Sequence, residues 1–244
     1  MIFNDKENTV YSFLMIGQSN MAGRGEFSDV APIENYKCRM LRMGRWQKMS
    51  EPINPDREIL DGEYHSGVSL AASFADEVSR HFGIQVGLIP CADGGTGIRQ
   101  WMPGEILYDH AVMMARLAMR TSRLCGIIWH QGETDCKSED TLSVYGEKFI
   151  SLMNSLRSDL GVGNIPIIIG ELAESIGERW DMDDRPKRMN GLFYRLAEKL
   201  PACAVASADG LTLKPDGLHF DSRSLRIFGV RYAQKYIQLA DDGI

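Results

Sequence analysis

Apolar residues, many of them β-branched, cluster in five short runs along the chain, at residues 10–16, 85–90, 125–129, 165–170 and 202–206. Runs of that length, closed by glycine-containing or polar turns, read as strands buried on both faces. Between them the apolar positions change period. Val68, Ala71, Ala72, Ala75 and Val78 recur at helical spacing, as do Val112, Ala115 and Met119, and then Phe149, Met153, Leu156 and Leu160. Each set lines one face of an α-helix. Ile227, Val230, Tyr232, Ala233 and Ile237 predict a closing amphipathic helix.

Strand and helix therefore alternate, and a parallel strand pair needs a crossover long enough to hold a helix. The pattern predicts a three-layer α/β/α sandwich with a five-stranded parallel sheet, built as a single domain over residues 1–244. Two stretches fit the alternation poorly: residues 26–63, long and irregular, and residues 177–186, charged and turn-like. Both read as excursions beside the mouth of a site.

Composition narrows the function. The chain has 244 residues, of which 44% are hydrophobic, enough for a sizeable core. Its net charge is -6 with the acidic residues scattered, which excludes the basic footprint of a nucleic-acid partner. No apolar stretch approaches the roughly 20 residues that span a bilayer, so no membrane partner is expected. The first residues are polar and acidic where an export signal needs a basic start and an apolar run, so a cytoplasmic location is expected. Cys38, Cys91, Cys125, Cys136 and Cys203 form no CxxC pair and read as reduced structural thiols.

Ligands of open parallel sheets bind beyond the carboxyl ends of the strands, so chemistry is expected where a motif directly follows a strand. Four motifs do: Gly17-Gln18-Ser19-Asn20-Met21-Ala22-Gly23, Asp93-Gly94-Gly95-Thr96-Gly97, His130-Gln131-Gly132-Glu133-Thr134-Asp135 and Asp216-Gly217-Leu218-His219-Phe220. The first presents a hydroxyl at a strand-to-helix turn. Alone, Ser19 or Asn20 could merely cap that helix. A serine becomes a nucleophile when a base takes its proton, and His219, with Asp216 three residues upstream to orient it, is the candidate base. The oxyanion of acyl transfer needs aimed donors. Candidates are the backbone N–H of Ser19, that of Gly95, and the side-chain amide of Gln131. Glu133 and Asp135 read as groups that hold these loops. Trp101, preceded by Arg99, could supply an apolar sugar platform with a polar neighbour, or could simply anchor the loop. The glycine loop lacks the lysine-containing pattern of a phosphate cradle.

With these residues assembled, the sequence resembles the SGNH hydrolase superfamily, in its branch of sialate O-acetylesterases and the sixth carbohydrate esterase family. GQSNMAG, GGTGI followed by Trp101, HQGETD and DGLHF occur in that family's order. The resemblance implies a flavodoxin-like parallel sheet, no metal or other cofactor, and hydrolysis of acetyl esters on sugars such as acetylated xylan or sialic acid. It maps the nucleophile to Ser19, the glycine oxyanion donor to Gly95, and the acid and base to Asp216 and His219. The wider superfamily places an asparagine where this chain has Gln131. A metal-dependent hydrolase using His130, Glu133, Asp135, Asp216, His219 and Asp221 is the rival from another class, and a catalytically silent sugar-binding protein is a second.

Overall fold

The computed structural model describes residues 9–55 and 65–241. Seven strands, β1 (Val10–Gly17), β2 (Cys38–Arg42), β3 (Arg45–Lys48), β4 (Gln85–Pro90), β5 (Ser122–His130), β6 (Ile167–Gly170) and β7 (Cys203–Ala206), form one sheet in the order β3-β2-β4-β1-β5-β6-β7. The helices are α1 (Ser19–Ala22), α2 (Leu70–Phe82), α3 (Ile106–Met119), α4 (Glu139–Leu160), α5 (Ile176–Arg179), α6 (Arg185–Lys199) and α7 (Ser222–Asp241).

All five expected strands are present, and among themselves they run β4-β1-β5-β6-β7, every pair parallel. The expected count of five is corrected to seven. β2 adds parallel to β4, and β3 returns antiparallel to β2, making the sheet mixed at that edge. Both extra strands lie inside the stretch 26–63; residues 56–63 of that stretch fall outside the described residues. The turn that joins them places Met43 and Gly44 at φ 52° and 72°, the doubly left-handed geometry that matches the twist of a hairpin.

Alternation along β1 builds the layers. Leu14 and Ile16 face a core shared with α3, α4 and α6, whereas Tyr11, Phe13 and Met15 face a core shared with α2 and α7. On the second face Phe13 meets Phe74 of α2 and Tyr236 of α7 edge-on, with ring centroids 5.0 and 4.8 Å apart. Burying a side chain of that size contributes about 1.5–3 kcal/mol. Helix ends follow local chemistry: Ser138 Oγ accepts the Thr141 N–H at the start of α4, and Gly83 and Gly161 close α2 and α4 in left-handed conformation.

The sheet order fixes where a site can form. The chain leaves β1 toward β2 and β4 on one side, then crosses to β5 on the other. The crevice beyond the carboxyl end of β1 is therefore a topological switch point. Among the described residues, no helix is long and apolar enough to cross a membrane.

Candidate active site

β1 ends at Gly17, and only glycine fits there. Its φ is 134°, and a Cβ would lie 2.1 Å from the His130 carbonyl oxygen at the end of β5. The close approach is sealed by the Gln18 N–H donating to that same carbonyl at 2.9 Å. The chain turns at once into α1, whose first residue is Ser19. Its hydroxyl caps nothing: the Met21 and Ala22 N–H groups donate to the Gln18 carbonyl instead. The Ser19 N–H, at the first helical position, has no acceptor within its helix.

Ser19 Oγ lies 2.9 Å from His219 Nε2, and His219 Nδ1 lies 2.8 Å from Asp216 Oδ2. The other carboxylate oxygen, Asp216 Oδ1, accepts the backbone N–H groups of Leu218 and His219 at 2.8 and 2.9 Å. The loop thus folds around its own aspartate, which explains the three-residue spacing of acid and base. Partial burial pushes the Asp216 carboxyl up, but the His219 and Leu218 N–H groups and the imidazole outweigh it and hold it below the usual carboxylate range. A hydroxyl, an imidazole and a carboxylate so linked can draw a proton from the hydroxyl as it attacks a carbonyl.

The glycine loop approaches Ser19 from the β4 side. A Cβ on buried Gly94 would stand 3.5 Å from Ser19 Cβ and 2.8 Å from Arg24 Nη2, a gap that a single methyl group would fill. Gly95 follows, exposed, at φ 74° and with open space where a side chain would begin.

Two expected roles are corrected by the geometry. Gln131 is fully buried, and its amide nitrogen, with two hydrogens, already faces three acceptors: Asp135 Oδ2 at 2.6 Å, Thr96 O at 2.9 Å and Gln18 Oε1 at 3.2 Å. No N–H remains for an oxyanion. Gln131 instead ties the glycine loop to the motif after β5. Trp101 is also fully buried, its indole N–H donated to Thr96 Oγ1 at 3.1 Å and its ring set edge-on to Trp129, so it anchors the loop and offers no face to a sugar. Arg99 is exposed.

Asp135 and Glu133 sit where the loops meet. Asp135 Oδ2 also accepts the Ile98 N–H at 2.9 Å, and burial pushes its carboxyl up. Glu133 is buried too, but the nearby His130 imidazole and the Asn20 amide outweigh its desolvation and hold it below the usual range. Asn20 is the residue that the motifs left without a role. Its amide links Glu133 to the loop that carries His219. The stretch 177–186 lies against the same loop, with Arg179 packed on Gly217 and Trp180 beside it 44% exposed. The six residues of the metal alternative belong to separate hydrogen-bonded sets. His130 meets Tyr232 and Glu133, Asp135 meets Gln131 and Ile98, Asp221 meets Thr212 and Ser224, and Asp216 with His219 meets Ser19. Among the described residues no group of three or more such side chains is disposed to hold a metal ion.

A mostly parallel α/β sheet with a serine, a histidine and an aspartate linked at its switch point is suited to acyl transfer, and comparison with known proteins narrows the class to a carboxylic ester hydrolase. Residues 9–238 match the model of the family described as carbohydrate esterase, sialic acid-specific acetylesterase. The chain belongs to that family. A probable carbohydrate esterase of Arabidopsis thaliana is 32% identical over 250 residues, covering 92% of this chain and 89% of that protein. An Arabidopsis thaliana protein of known crystal structure superposes with a TM-score of 0.82 at 26% identity, over 94% of this chain and 98% of its own. The structure of NanS, at 16% identity, shares the fold with a TM-score of 0.76 over 98% of this chain and all of its own, 100%.

Proposed function

We propose that this carbohydrate esterase is a serine enzyme that removes O-acetyl groups from small sugars, with Ser19 as nucleophile, His219 as general base and acid, and Asp216 as its orienting carboxylate. The observation that carries the reading is the unbroken chain from Ser19 Oγ through both ring nitrogens of His219 to Asp216. Ser19 Oγ attacks the acetyl carbonyl and passes its proton to His219 Nε2. The C–O bond to the sugar breaks, and the imidazolium returns that proton to the departing hydroxyl. Water, deprotonated by His219, then hydrolyses the acetyl-serine and regenerates the enzyme.

The oxyanion is held by the N–H groups of Ser19 and Gly95. The first has no acceptor within its helix, and the second belongs to the loop that closes on Ser19. Each such donor contributes about 10²–10³ in rate. Exposed Arg99 is the polar partner on the glycine-loop side. Trp180 takes over the aromatic role expected of Trp101, since it is exposed and its neighbour Arg179 packs on the loop of His219. The family description and the wording of its relatives favour an acetylated sugar, with O-acetyl sialic acid and acetylated xylo-oligosaccharides as the substrates to try.

Acetate release from such a panel, measured for the unmodified protein, Ser19→Ala and Trp180→Ala, tests the reading. Release should vanish with Ser19→Ala. Trp180→Ala should raise KM for the sugar ester more than for a simple aryl acetate. Release that persists without the Ser19 hydroxyl would overturn the serine mechanism; no release from any sugar, with aryl acetate still cleaved, would overturn the sugar assignment.

A further inference from the structure

Asn20 is 1% exposed and uses its whole amide. Its Nδ2 donates to Glu133 Oε1 at 2.7 Å and to the Leu218 carbonyl at 3.3 Å, and its Oδ1 accepts the Phe220 N–H at 3.1 Å. Leu218 and Phe220 are the two residues that flank His219. One side chain therefore grips the backbone on both sides of the imidazole, from the position directly after Ser19. The serine and the histidine lie 200 residues apart in sequence, and Asn20 makes one rigid link between their two backbones.

An asparagine amide can flip, and flipping would turn both contacts repulsive: oxygen against the Leu218 carbonyl and N–H against the Phe220 N–H. Glu133 prevents it. Its carboxylate, held below the usual range and 3.3 Å from His130 Nε2, accepts only a donor, so it fixes Nδ2 on its own side and Oδ1 toward Phe220. His130 in turn is held by the Tyr232 hydroxyl at 3.1 Å, which donates to the Trp129 carbonyl at 2.9 Å. In a buried setting the low local dielectric strengthens each hydrogen bond that is made, so the Asn20–Glu133 and Asn20–Phe220 contacts favour one orientation of the amide.

From these contacts we infer that Asn20 is a positioning residue for the reaction, oriented by Glu133, that sets the His219–Ser19 geometry without touching the substrate. The inference rests on the serine–histidine reading above. A misplacement on the order of 1 Å at such a pair costs about 10²-fold in rate.

The test is steady-state hydrolysis of an aryl acetate, which needs no sugar contacts, by Asn20→Ala, Asn20→Asp and Asn20→Asp combined with Glu133→Gln, below the melting temperature of each. Asn20→Ala should lose about 10²-fold in kcat with KM within about twofold of the unmodified value. Asn20→Asp should lose at least as much, since it sets carboxylate against carboxylate. Adding Glu133→Gln restores a donor between the two positions and should recover about tenfold in kcat. Because the double variant preserves side-chain size, it gives a reading even if Asn20→Ala fails to fold. A kcat for Asn20→Ala within about twofold of normal, a loss carried by KM, or no recovery in the double variant would overturn the inference. Ser19→Ala, run alongside, separates the two claims: activity persisting there removes the serine–histidine reading, whereas an inactive Ser19→Ala with a fully active Asn20→Ala removes only this one.

Discussion

Asp216 and Asp135 are both aspartates at the carboxyl edge of the sheet, yet their surroundings drive them in opposite directions. Asp216 gathers two backbone N–H groups and an imidazole, which hold it below the usual range. A carboxyl with a depressed folded value stabilises the fold above its unfolded value, near 3.9, and loses that contribution as pH falls through the folded value. Asp135 is raised by burial, so the sign reverses: its contribution is fullest when protonated and shrinks as pH rises through the folded value. The destabilisation caused by Asp216→Asn should therefore shrink as pH falls below about 4, while that caused by Asp135→Asn should grow. Chemical denaturation of both variants between pH 3 and pH 7 checks this, and parallel trends would contradict the assigned environments. At this scale the sequence was legible for Ser19, Asp216 and His219, whose motifs were expected to converge and whose side chains lie within hydrogen-bond distance of one another in series. It misled where one residue type has two uses. A tryptophan after a glycine loop can face a sugar or fill a core, and an amide after a strand can serve an oxyanion or a loop; for Trp101 and Gln131 the deciding fact is burial, which one sequence does not reveal.

Among the elements, β1 and β4–β7 were readable because strands covered on both faces are written as uninterrupted apolar runs. β2 and β3 were not. β2 carries Arg39 and Arg42 among its apolar residues, and β3 reads Arg45-Trp46-Gln47-Lys48, as suits a partly exposed edge. Their turn has methionine where a hairpin ordinarily announces itself with asparagine or aspartate before glycine. Met43 is 91% exposed and sits at φ 52°, a conformation that asparagine adopts more readily. Met43→Asn should stabilise the protein by about 0.5–1 kcal/mol at no cost in packing, read as a higher denaturation midpoint. An unchanged or lower midpoint would mean that the turn is not under conformational strain.

Across the whole molecule, the sheet order does most to create the site. Placing β1 between β4 and β5 brings the loops after all three strands to one crevice, and the return from β7 into α7 adds the loop of His219. The loops are then joined by buried polar links: Gln131 and Asp135 hold the glycine loop, and Asn20 with Glu133 holds the histidine loop. No single motif contains the site. That is why the order of the motifs along the chain was informative, while the links between them required the fold. The excursion 177–186, expected beside the mouth of a site, reaches the loop of His219 through Arg179, which packs on Gly217.

If Ser19 is the nucleophile, it carries the acetyl group during turnover. Mixing the enzyme with an aryl acetate, quenching in acid within the first turnovers and measuring the mass of the peptide that contains Ser19 tests it directly. A serine mechanism leaves a mass increase of one acetyl group on that peptide, absent in Ser19→Ala. Continued turnover with no acetyl group on Ser19 would contradict it.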